Sequence, residues 1–93
     1  MDFTFNGKPI FPTKEAMDEL SDVGLDLHDA IAIMQEGFVV RKRKRNIIER
    51  AIKRGNKIIN IVAVDMGNYY KLIHAGKFSY NKKFNKGEGK DGL

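Results

Sequence analysis

The densest chemistry in this sequence is the run Arg41-Lys42-Arg43-Lys44-Arg45, an unbroken string of cations. Packed into a compact state, such a run repels itself unless a polyanion neutralises it, which points to a phosphate backbone. Lysine and arginine on an edge strand also block unwanted strand pairing, so the run has a purely structural reading as well. Arg50, Lys53, Arg54 and Lys57 follow on the next hairpin. Antiparallel pairing is expected to gather both groups into one basic patch whose complexes weaken with salt. Tyr69, Tyr70, Phe78 and Tyr80 offer rings on which bases can stack.

Arg50 and Lys71 interrupt apolar stretches. Each reads either as an outward-facing strand residue or as a clamp on negative charge developing at a phosphate. His74 stands between Ile73 and Ala75. It reads as a hydrogen-bonded strand histidine or, on an uncovered face, as a general acid or base. His28, among Asp26 and Asp29, is expected to be exposed at a helix start, and Glu49 to pair locally with nearby cations. The histidines have no matched carboxylate spacing, so no metal site is expected. No cofactor is expected either, because there is no GxSxG, no phosphate-cradling glycine loop ahead of a helix and no dinucleotide fingerprint.

These residues need elements to position them. Asn6-Gly7 between Asp2–Phe5 and Lys8–Phe11 predicts an opening hairpin, with Pro9 confining its strand to an edge. Thr13 caps a helix carrying Ala16, Met17, Leu20 and Val23 at helical spacing, and Gly24 stops it. Asp26 caps a second helix with Leu27, Ala30, Ile31 and Met34 on one stripe, ended by Gly37. The short link makes the pair an αα-hairpin. Beyond Gly37 the period changes, and strands are expected at Phe38–Arg45, Ile47–Lys53, Lys57–Val64 and Tyr69–Ala75, with Gly76–Tyr80 as an extension of the last. The β-branched run Lys57–Val64 reads as the central strand.

The expected architecture is therefore α+β: an N-terminal β-hairpin, then an αα-hairpin packed on one face of an antiparallel sheet of about four strands. Residues 1–80 form one domain, and 81–93, rich in Lys, Asn and Gly, form a flexible basic tail. Helices with one apolar stripe each cover one side of the sheet, which leaves the other for water or a partner.

Charge sharpens this layout. Residues 1–37 hold 2 basic and 8 acidic side chains, residues 38–57 hold 9 and 1, and the whole chain carries +5. Acid is thus expected on the helices and base on the strands. A chain of 93 residues is too short for two domains with a cleft between them. The absence of cysteine excludes a disulfide scaffold and a cysteine nucleophile and suits a reducing compartment. Apolar runs such as Ile61–Val64 fall far below the roughly 20 residues of a membrane helix, so no membrane partner is expected. The opening Met-Asp-Phe-Thr-Phe has neither a basic nor an apolar signal region, and the cytoplasm is the expected location.

Three stretches carry a resemblance: Glu36-Gly37-Phe38 through Ile48-Glu49-Arg50; Arg54-Gly55-Asn56-Lys57 with its valine-rich strand; and Tyr69-Tyr70-Lys71-Leu72-Ile73-His74-Ala75-Gly76-Lys77-Phe78. Over about residues 13–80 the chain resembles small archaeal proteins related to the RelE/ParE-like toxin superfamily, in the branch of the BrnT-like toxins. The resemblance implies two helices on an antiparallel sheet, an antitoxin protein as partner, and action on RNA or ribosome-bound mRNA without a metal. It implies Arg50 and Lys71 as charge stabilisers and His74 or Tyr80 as acid or base, the nucleophile being a neighbouring 2′-hydroxyl. The opening hairpin and the basic tail are not required parts of that fold. From another class, a noncatalytic module that binds nucleic acid or an acidic protein fits the same charges, and an interaction protein using an exposed sheet edge is a third reading.

Overall fold

The computed structural model describes residues 3–40 and 44–79. Arg41, Lys42, Arg43, Tyr80 and the expected tail at 81–93 lie outside the described residues.

The chain opens with β1 (Thr4–Phe5) and β2 (Lys8–Pro12), an antiparallel pair joined by Asn6 and Gly7 at φ +54° and +79°. Both φ values are positive, as a two-residue hairpin turn with the natural strand twist requires. Helices α1 (Lys14–Asp22) and α2 (Leu27–Glu36) follow. Thr13 caps the first by accepting the Ala16 N–H at 3.0 Å. Asp26 caps the second reciprocally: its carboxylate accepts the Asp29 N–H at 2.9 Å while Asp29 accepts the Asp26 N–H at 3.0 Å. The remaining strands are β3 (Phe38–Val39), β4 (Ile47–Arg54), β5 (Lys57–Asp65) and β6 (Tyr70–Ser79).

The α+β class and the helix pair agree with the sequence reading, but the sheet differs from the expected antiparallel sheet of about four strands. It is a mixed sheet of six strands in the order β1-β2-β6-β5-β4-β3. The opening hairpin is part of it, because β2 pairs parallel to β6 through Ile10↔Tyr70, Phe11↔Lys71 and Pro12↔Leu72. Parallel neighbours need a long crossover, and here both helices and three strands lie between β2 and β6 in the chain, which hides the pairing from any local pattern. The second correction concerns the basic run. Strand β3 ends at Val39, and Arg45-Asn46 form a turn in which the Ile47 N–H donates to the Lys44 carbonyl at 2.8 Å, so Lys44 and Arg45 are not strand residues.

One face of the sheet meets the helices. Ile59, Ile61, Ala63, Tyr70, Leu72 and Ala75 pack there against Ala16, Leu20, Ala30 and Met34. Gly37 lets α2 descend onto β4: a Cβ there would stand 2.5 Å from the Ile33 carbonyl oxygen and 2.6 Å from that of Ala51, closer than atoms can approach. The opposite face is not the bare surface expected of it. Its middle is closed by a second small cluster of Val40, Ala51 and Ile58 with Phe78 against it. Among the described residues no helix is long and apolar enough to cross a membrane.

Candidate functional site

Among the described residues, those proposed from sequence do not all meet at one place. On β4, Ile48 and Ile52 pack into the helix-side core and Arg50 lies between them on the same face. Its guanidinium donates to the Met34 carbonyl at 2.9 Å, near the C-terminal end of α2, and stands 6.0 Å from the centroid of the Phe5 ring. A cation at that helix end satisfies an orphan carbonyl and opposes the negative pole of the helix. Lys71 pairs with Val64 on the opposite face, so Arg50 and Lys71 are separated by the thickness of the sheet.

The described cations of the expected basic patch fall into two groups. Lys44 and Arg45 precede β4, whereas Lys53, Arg54 and Lys57 surround the β4–β5 turn at its far end. A strand of 8 residues separates the groups by on the order of 20 Å. All five are exposed. Exposed acid, in contrast, gathers on the helices at Glu15, Asp18, Asp22, Asp26, Asp29 and Glu36. Of the stacking aromatics, Tyr70 is buried edge-on against Phe5, and Tyr69 stands edge-on to the exposed Phe11, their centroids 5.5 Å apart. Phe78 packs into the smaller cluster. His28 is exposed, as expected, and lies against Phe3.

Lys71 and His74 do share a face, and a break in the strand rhythm is the reason. Pairing of β5 with β6 slips between Val62 and Ala63: Ala63 faces Leu72, Val62 faces His74, and Ile73 is the extra residue of a β-bulge. Regular alternation from Tyr70 and Leu72 would turn His74 toward the helices. The bulge turns it to the other face instead, with Lys71 and ahead of Gly76.

His74 is also held. Its Nδ1 lies 2.9 Å from Glu19 Oε1 on α1, and the same carboxylate oxygen accepts the Ala75 N–H at 2.9 Å. Helix α1 leaves the sheet at Thr13, whose N–H donates to the Leu72 carbonyl, so its next turns run along the edge of β6 that β2 no longer covers. Glu19 thereby supplies the acceptor that a neighbouring strand would have given Ala75. Beyond His74 stands Asn60, 8% exposed, which donates through Nδ2 to Oε2 of Glu49, 4% exposed, at 2.9 Å. Glu49 is therefore tied into the sheet face by a neutral amide. Between His74 and Asn60 lies Gly76: a Cβ there would meet Asn60 Oδ1 at 2.8 Å and His74 Nε2 at 3.4 Å.

Glu19, Asn60 and Gly76 escaped the sequence reading. Asn60 had a signal, being the lone polar residue in the run from Ile58 to Val64. Glu19 had none, since an acidic residue on a helix is ordinarily solvated. No three His, Asp or Glu side chains form a metal-holding group among the described residues. Comparisons with protein-family models, curated proteins and solved structures find no match to this chain.

Proposed function

We propose that this protein is RNA-directed, with an architecture of the RelE type, and that it is a metal-independent ribonuclease in which His74 is the acid–base group and Lys71 the phosphate cation. The observation that supports this reading is the bulge at Ile73, which puts His74 on the same sheet face as Lys71. In the proposed step His74 Nε2 takes the proton of a 2′-hydroxyl. That oxygen forms a bond to the adjacent phosphorus as the bond to the 5′-oxygen breaks, Lys71 stabilises the charge on the phosphorane, and the departing oxygen is protonated by water. Exposed cations at both ends of β4 suit an RNA strand laid along this side.

Incubation of the purified protein with RNA, with and without ribosomes and with EDTA present, tests the chemistry. Cleavage that survives EDTA and disappears in His74→Ala is expected; intact RNA under every condition removes the catalytic claim. A noncatalytic nucleic-acid module is the second reading, favoured by Arg50, whose guanidinium is committed to Met34 and leaves Lys71 without that second charge stabiliser. Titration of a labelled oligonucleotide at rising salt decides whether RNA is the partner at all, since no salt-sensitive binding would eliminate both versions.

A further inference from the structure

The Glu19 to His74 contact carries more than a surface ion pair would. A carboxylate can only accept a hydrogen bond, so the proton on the near ring nitrogen belongs to Nδ1 of His74 and the lone pair of the neutral ring belongs to Nε2. Glu19 is itself fixed, because the same oxygen accepts the backbone N–H of Ala75. Nε2 and Asn60 Oδ1 both lie near Gly76, 3.4 Å and 2.8 Å from where a Cβ would stand. That amide is oriented by the buried carboxylate of Glu49, which must receive Nδ2, so its oxygen turns toward Gly76. Two acceptor atoms therefore lie near one glycine, on the sheet face that also carries Lys71.

We propose that Glu19 is the positioning residue of this site: it holds neutral His74 as the Nδ1–H tautomer, so that Nε2 and Asn60 Oδ1 together receive a hydrogen-bond donor of the ligand, a hydroxyl group adjoining an anion. The ligand class rests on the RNA reading above; the tautomer does not. Nothing in the chain order suggests the arrangement, which joins α1, β4, β5 and β6.

Nitrogen-15 spectra of the full chain at roughly pH 8.5, about two units above the ordinary imidazole pKa, test it directly. The expected result for His74 is a pyrrole-type Nδ1 and a pyridine-type Nε2. Glu19→Gln retains this pattern, because its carbonyl oxygen still accepts, and Glu19→Ala loses it in favour of Nε2–H. A wild-type His74 protonated on Nε2, or an unchanged pattern in Glu19→Ala, overturns the proposal. Should Glu19→Ala fail to fold, the wild-type and Glu19→Gln spectra still decide. RNA left unbound by a protein with the expected tautomer would remove the RNA reading and leave the positioning role standing. The wrong tautomer in a protein that cleaves RNA would do the reverse.

Discussion

A guanidinium in the middle of β4 has two faces open to it, and Arg50 takes the one against the helices. Its hydrogen bond to the Met34 carbonyl and its position near the Phe5 ring make it a structural residue, with its stem packed among apolar neighbours and its charge used at a helix end. Arg50→Ala is expected to destabilise the fold by about 1.5–3 kcal/mol, the range for hydrogen bonds to charged groups, while leaving RNA affinity per folded molecule unchanged. Denaturation curves beside binding isotherms check this, and a folded variant with weakened binding would return Arg50 to the interface. The Asn60 and Glu49 pair makes a complementary case. Both side chains are buried, so Asn60→Ala takes a hydrogen bond from a carboxylate that water reaches poorly, at an expected cost of about 1–3 kcal/mol. Gly76→Ala should disturb the same pair from the other side, since the added methyl would stand 2.8 Å from Asn60 Oδ1 and push it away. Loss of the Asn60 side-chain amide signals from their wild-type positions is the readout.

At the scale of elements, the helices stand on their caps. Thr13→Ala should cost about 1 kcal/mol by denaturation, the usual value for an N-cap hydroxyl. The Asp29 backbone N–H holds the Asp26 carboxyl below its ordinary pKa, helped by the Asp29 side chain and the His28 charge. The Gly67 N–H, and then Lys8, do the same for Asp65 at the end of β5. A carboxyl whose pKa is lowered on folding contributes stability that is complete above the unfolded value of about 4 and is lost as pH falls through the folded value. Stability should therefore decline on acidification below about pH 4, and Asp26→Asn with Asp65→Asn should flatten that decline. Urea denaturation of the double variant across this range is the measurement; an unaltered acid limb would show that the two carboxylates do not contribute to it.

Among the described residues the exposed acid is concentrated on the helices. Exposed cations flank β4, and Lys71 lies on the face away from the helix-side core. Binding of single-stranded RNA should fall with salt, and Lys71→Ala should reduce the slope of log K against log[salt] by about 0.7, the share of one phosphate contact. A reduced affinity with the same slope would mean that Lys71 does not touch a phosphate. The same sorting allows the acidic layer of one copy to meet the basic side of another. Sedimentation at low and high salt separates that self-association from RNA binding.

Sequence alone determined what local chemistry can determine. Thr13 and Asp26 mark helix starts because their side chains cap N–H groups three residues away, and Asn6-Gly7 marks a turn because its backbone needs are local. The run Lys57–Val64 reads as a central strand because β-branched side chains suit burial, and β5 does lie between β6 and β4. Tertiary structure alone decided the rest. The parallel pairing of β2 with β6 joins residues about sixty positions apart and leaves no periodic trace. Arg50 and His74 look alike in sequence, each a polar residue in an apolar strand, yet they end on opposite faces. A strand's side-chain period is two, so one extra residue at Ile73 reverses every assignment that follows it. Where that residue is inserted depends on the register against β5. The Glu19 contact with His74 depends in turn on where α1 leaves the sheet, and both are set by packing between distant segments.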